Sequence, residues 1–305
     1  MHIYLPIAEL SANAPWLVLL GGIGGIFAGL FGLGGGFILT PMLMFMGIPS
    51  SVAVATSTNM IVASAFSGFL SHHKRKQVDV EVGLWLVLGG LGGVVVGIWW
   101  FAALKKLGQI DLMISLLYIT LLTTIGLLMA REFRAMRASH RRGEENHEMR
   151  PLPLPRWVKK LPFKHEFVQS RITHSVLLPI SIGVVSGLLV ALLGIGGGFL
   201  MIPAMVYILR MPARLTVGTS LFQTIFITAF STMMHAVTTH TVDIVLAGLL
   251  LLGSVIGAQW GARLAAKMSM HAQRGLMAVV LLGIALRLAY GLFITPEEIF
   301  TLVVR

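Results

Sequence analysis

Two ten-residue stretches decide the reading of this chain: GLGGGFILTP at Gly32–Pro41 and GIGGGFLMIP at Gly194–Pro203. Each lies in a long apolar run, about 14–47 and 176–209, and each is followed by the same series of markers. Pro49 matches Pro212, Thr56-Ser57 match Thr219-Ser220, His72 matches His235, and Val78-Asp79 match Val242-Asp243. Gly89, Gly93 and Gly97 then match Gly253, Gly257 and Gly261. The order is kept with one-residue shifts, so the chain carries an internal duplication, with copies at 14–130 and 176–294.

The duplicated unit belongs in lipid. Apolar residues make up 56% of the chain and charged residues 11%, against roughly 25% charged in a soluble domain. Apolar segments of spanning length, about 20 residues, lie near 52–72, 81–104 and 111–130, and near 215–238, 244–267 and 274–294. As straight helices the two long runs would measure about 50 Å, against a hydrocarbon core of about 30 Å. Each is therefore expected to break at its glycines, either as a re-entrant hairpin or as two short spans. There is no cysteine, which excludes disulfides, thiolate metal sites and thiol nucleophiles. No basic residue precedes the first apolar run, so no removable signal peptide is expected.

Residues 131–175 join the copies. They hold eleven Lys/Arg, five Glu, four His and the run Pro-Leu-Pro-Leu-Pro at 151–155. Basic loops prefer the cytoplasm, so this connector goes inside, as a solvated loop or as an interfacial segment in which Trp157, Phe163 and Phe167 alternate with Lys159, Lys160 and Lys164. If each long run crosses once, Lys74, Arg75, Lys76 and Arg305 lie inside. Lys105, Lys106, Arg210, Arg214, Arg263, Lys267 and Arg274 then lie outside, four against seven. If each long run returns to the side it entered, only Lys105, Lys106 and Arg305 lie outside and the other eight inside. The second arrangement obeys the rule. It makes each copy cross an odd number of times, so the copies are inverted and both termini are periplasmic. The expected fold is an all-α polytopic membrane protein of two inverted-topology repeats, each a glycine-broken hairpin or helix pair followed by three transmembrane helices.

Three glycines in a row are costly in a helix interior, about 1 kcal/mol each relative to alanine. Gly34, Gly35 and Gly36, with Gly196, Gly197 and Gly198, let the backbone turn and bring N–H groups close to a ligand. The half-helices that follow would aim their positive ends at an anion; tight packing is the plainer alternative. No Lys-Ser/Thr follows either cluster, which argues against nucleotide binding. The glycines spaced by four are read as helix-packing faces. Thr56, Ser57, Asn59, Thr219, Ser220 and Gln223 could donate to sulfonyl or carboxylate oxygens or could tie helices together. His72 and His235 could attract an anion or sense pH, or serve only as interfacial residues. Arg287, inside the last span, is a substrate contact or a snorkelling cation. No carboxylate lies at mid-span, and no His-Glu-x-x-His motif or Ser/His/Asp set suggests an enzyme.

With these motifs stated, the chain resembles the TauE/SafE family of sulfite exporters and related permeases over about 15–130 and 176–294. The motifs that carry the resemblance are Gly-x-Gly-Gly-Gly-Phe-x-x-x-Pro, Thr-Ser, His with Val-Asp, and the glycine ladder, each occurring twice. The resemblance implies a bacterial cytoplasmic-membrane carrier of sulfite, sulfoacetate, other organosulfonates or related small anions, often outward. It also implies a binding region at Gly34–Gly36 with Thr56-Ser57 and Gly196–Gly198 with Thr219-Ser220. Expected partners are a small anion and the lipid bilayer, with H⁺ or Na⁺ as candidate coupling ions and no nucleic acid. No cofactor or metal is expected, and a homo-oligomer stays open. An anion channel on the same scaffold, a permease for carboxylates or amino-sulfonates, and a membrane module whose connector recruits a partner are the alternatives.

Overall fold

The computed structural model describes residues 2–31, 35–141, 162, 164–167, 169–170, 172–196 and 198–293. Gly34, Gly197, the proline run with Trp157, and Arg305 lie outside the described residues. The first copy contains α1 (Ala14–Phe31), α2 (Gly36–Phe45), α3 (Ser50–Lys74), α4 (Val80–Lys106) and α5 (Ile110–Arg141). The second contains α6 (Leu177–Leu193), α7 (Gly198–Tyr207), α8 (Ala213–Met234), a π-turn (His235–Thr239), α9 (Ile244–Lys267) and α10 (Met270–Phe293). Among the described residues, seven helices are long and apolar enough to cross a membrane.

The long runs break where the glycines stand. Gly35 takes φ +67° at the start of α2, and Gly194 takes φ +64° at the end of α6, a left-handed conformation that costs glycine no Cβ clash. Ala28 lies against Gly35 and Gly24 against Leu39, so α2 doubles back along α1. In the second copy Leu178 and Ile182, from the start of α6, share a buried cluster with Met205 and Leu209 from α7 and the loop beyond it. With ten residues each, α2 and α7 reach only about 15 Å, half the hydrocarbon core. Each long run is thus a pair of helices folded back on each other at the glycines. Pro41 and Pro203 sit inside these half-helices, where each removes one backbone hydrogen bond.

The copies pack crosswise. Gly21, Gly25 and Gly29 of α1 meet Leu250, Ser254 and Ala258 of α9, so these helices run the same way. Gly89 and Gly93 of α4 meet Ile180 and Val184 of α6 in the same manner. In both seams the glycine abuts backbone, so a methyl group there would force the helices apart. The equivalent helices α3 and α8 run in opposite directions: Thr58 meets Thr232, and Gly68 meets Leu221. The helices α5 and α10 do likewise, with Gly126 against Leu282 and Gly275 against Phe133.

Two β-hairpins were not anticipated. Strands β1 (His2–Leu5) and β2 (Leu10–Asn13) precede α1, and β3 (Lys164–Phe167) and β4 (Ile172–Ser175) precede α6. The first hairpin buries Leu5, and the second buries Phe167 and Ile172. Phe167 packs with Val82, Leu86 and Met201, so it does not lie on a lipid surface, and the last part of the connector is structured. The first part is also ordered: α5 continues to Arg141.

Candidate functional site

The two breaks meet in the middle of the bundle. A Cβ on Gly36 would come 2.5 Å from the Gly194 carbonyl oxygen and would also strike Ile61, while one on Gly194 would come 2.8 Å from Ser57 Oγ. Ser57 Oγ donates to Val54 O at 3.0 Å, lies 2.6 Å from Thr40 Oγ1 and reaches Gly194 O at 3.5 Å. The Tyr118 hydroxyl donates to the Leu193 carbonyl and fixes the end of α6 at the break. Gly36 of the first cluster and Gly194, two residues before the second, are thus brought together with Ser57.

α6 and α8 share a buried polar set. Ser186, Ser220, Gln223 and Thr224 are at most 2% exposed. Gln223 Nε2 donates to Ser186 Oγ at 3.1 Å. Ser220 Oγ, Gln223 Oε1 and Thr224 Oγ1 have no hydrogen-bond partner among the described residues. Their spacing on α8 places them on one helix face, while Leu221 points to Gly68 of α3 and Phe222 to Gly83 of α4. In the first copy the equivalents of Ser186, Gln223 and Thr224 are Gly24, Met60 and Ile61. An unpaired buried polar group costs about 1–3 kcal/mol, so three together on one helix face form a candidate ligand site.

Thr56 and Thr219 do a different job. Asp243 N donates to Thr56 Oγ1 at 3.2 Å, and Asp79 N donates to Thr219 Oγ1 at 2.8 Å. Each aspartate is the N-cap of the next helix: Asp79 accepts from Val82 N, and Asp243 from Val245 N and Leu246 N. The free oxygen of each takes the turn of a hairpin. Asp243 Oδ2 accepts from Ile7 N at 3.1 Å, and Asp79 Oδ2 accepts from the Ser170 hydroxyl. Both threonines therefore tie one copy to the other. Sequence reasoning matched Asp79 with Asp243 but gave neither a role, although an aspartate kept at the same place in both copies of a lipid-embedded unit was the available signal.

A cavity of about 330 Å³ opens beside the first break, between α1, α3, α8 and α9. Ala28, which touches Gly35, forms part of its wall, with Ser64, Ser67 and Gln259 as polar members. It extends along α3 to His72, next to the exposed Lys74, Arg75 and Lys76. His72 Nδ1 lies 3.0 Å from Gln77 Oε1. His235 is buried at the other end of the bundle, and Asn59 is half-buried on α3. Arg287 is exposed, its guanidinium 5.3 Å from the Phe45 ring and 5.9 Å from that of Tyr290. That is the far end of α2, away from the breaks.

The sulfite exporter TauE/SafE family profile matches residues 17–288. The chain belongs to this family. Among curated relatives, the probable membrane transporter protein YunE of Bacillus subtilis is 28% identical over 289 residues, covering 91% of this chain and 98% of that protein. A second, YjnA of the same organism, is 29% identical over 275 residues, covering 89% and 98%. The sulfite exporter TauE/SafE family protein 3 of Arabidopsis thaliana is 38% identical over 65 residues, covering 21% and 14%. No solved structure matches. Family membership and the relatives make this protein a multi-pass membrane transporter and not an enzyme.

Proposed function

We propose that the protein moves a small sulfur-containing anion such as sulfite, sulfoacetate or another organosulfonate outward across the bacterial cytoplasmic membrane, by alternating access between two inverted repeats. The observation that carries this reading is the buried set of Ser220, Gln223 and Thr224 on one face of α8, with three polar atoms left without partners among the described residues. The Ser220 and Thr224 hydroxyls can donate to an oxyanion without a fixed charge, while Gln223 Oε1 only accepts; the positive ends of α2 and α7 favour an anion further. The inverted relation is supported by the opposed directions of α3 with α8 and α5 with α10, and by the exchange of α1·α9 for α4·α6 when the copies are swapped. The basic cavity end is assigned to the cytoplasm. Outward movement of one negative charge gains about 2.3 kcal/mol per 100 mV with the inside negative, so export needs no coupled ion.

Flux of sulfite, sulfoacetate, taurine and sulfate from proteoliposomes tests the reading. Slow, saturable flux of at least one anion is expected. Absence of flux for all four overturns the substrate class, and single-channel currents overturn the carrier mechanism. Gly36→Leu would drive a side chain into Gly194 and Ile61, and should abolish flux while the protein still inserts.

A further inference from the structure

The two ends of the bundle are built from equivalent positions but differ in what fills them. The cavity is lined by Ala28, Gly29, Ser64, Ser67, Ala258 and Ala262. Carried to the other copy by the offsets of the matched motifs, these positions are Val190, Ala191, Ile227, Phe230, Val94 and Ile98. Val94, Ile98, Val190, Ala191 and Ile227 form a single buried apolar cluster, with Phe230 packed on it. One end is hollow where the other is plugged.

The histidines follow the same division. His72 lines the cavity, whereas its counterpart His235 is fully buried over the plug. The ring of His235 meets Phe101 edge-on at 4.6 Å. Its Nε2 lies 3.0 Å from the Ala191 carbonyl oxygen, which can only accept, so this nitrogen carries the hydrogen and ties α8 to α6. At this point α8 widens into the π-turn His235–Thr239, a form that concentrates at functional sites. The Thr239 carbonyl accepts from Lys105 Nζ at 2.9 Å, which ties the turn to the end of α4. α3 reaches Lys74 without such a turn.

We propose that this plugged end is the outer gate of the transport path, and that His235 is a positioning residue that holds it shut, with Lys105 as its second tie. The proposal rests on the transport reading above. Opening requires the π-turn to leave Ala191 and Lys105, which uncovers Ile98 and Val94 to the outside.

The chain lacks cysteine, so single cysteines report cleanly. In intact cells, a membrane-impermeant thiol reagent added outside should label Ile98→Cys slowly. Adding His235→Leu, or Lys105→Ala, should raise that rate on the order of tenfold, as loss of one buried tie shifts a closed–open balance. His235→Asn, which keeps a donor, should stay near the parent rate. Ser64→Cys, in the cavity, should resist the outside reagent in every background. Equal labelling of Ile98→Cys with and without His235→Leu and Lys105→Ala, in protein that still elutes as a single species, overturns the proposal, as does fast labelling in the parent. Anion flux is measured separately on the same variants. If flux is missing but the labelling pattern holds, the substrate reading fails and the gate stands; normal flux with uniform labelling does the reverse.

Discussion

The cavity end and the plugged end use the same helices in exchanged roles, α1, α3 and α9 at one and α6, α8 and α4 at the other, yet one holds about 330 Å³ of space and the other a packed apolar cluster. The difference is one of side-chain volume at matched positions. Ser64 and Ser67 stand where Ile227 and Phe230 stand in the other copy, and Ala258 and Ala262 where Val94 and Ile98 stand. Duplication supplied a symmetric frame, and residue size then made its ends unequal. Side-chain volume thus decides which end is hollow in this structure, and under alternating access the plugged end opens as the hollow end closes.

The most severe way to break this comparison is to make the ends alike. Ser64→Ile with Ser67→Phe copies the plug into the vestibule, and anion flux in proteoliposomes should fall to the protein-free background with folding retained. Flux near the parent level would mean that the substrate does not pass this cavity. Next in size is the frame itself. Gly93→Val in the α4–α6 seam and Gly257→Val in the α1–α9 seam each push a side chain into opposing backbone. Overpacking costs about 1–3 kcal/mol or more, and the two should lower the melting temperature in detergent by similar amounts, because the seams are equivalent.

The two aspartate caps sharpen the comparison further. Asp243 accepts three backbone N–H groups, from Ile7, Val245 and Leu246. Asp79 accepts one, from Val82, and the Ser170 hydroxyl. Loss of an N-cap costs about 1 kcal/mol, and each further hydrogen bond adds about 1 kcal/mol. Asp243→Ala should therefore destabilise more than Asp79→Ala in thermal melts, and equal losses would show that the additional cap bond from Val245 contributes nothing.

Most of the frame was legible because it depends on residues that match between the copies. The glycine clusters located both breaks, and the four-residue glycine spacing located both close seams. What was not legible depends on residues that do not match. Ser186, Gln223 and Thr224 against Gly24, Met60 and Ile61, or Ser67 against Phe230, become informative only once the copies are laid residue on residue in three dimensions. Gln223 and Ser220 were picked out as polar residues in an apolar span, whereas Thr224 and Ser186 were not. The hairpins escaped because a four-residue strand carries too few alternations to establish a period of two. The role of Thr56 and Thr219 was open between substrate contact and helix tie, and only the aspartate amides opposite them reveal the tie.

The smallest expected effect concerns the hairpin β3–β4, whose counterpart β1–β2 has no histidine in its second strand. Partial burial of His174 lowers its pKa below the ordinary histidine value; the Leu209 carbonyl opposes this and the nearby Arg210 charge adds to it. A histidine whose folded pKa is depressed binds protons more readily when unfolded, so the unfolded state gains as pH falls. The hairpin is therefore at full strength above pH ~6.5, the unperturbed value, and weakens as acidification passes that point towards the lower folded pKa. His174→Gln removes this slope. Melting temperatures of the parent and His174→Gln should run parallel above neutrality and converge on acidification, with the parent losing more. A parent curve as flat as that of the variant between neutrality and mild acid would show that protonating His174 does not load the hairpin, and the two hairpins would then be equivalent in this respect as well.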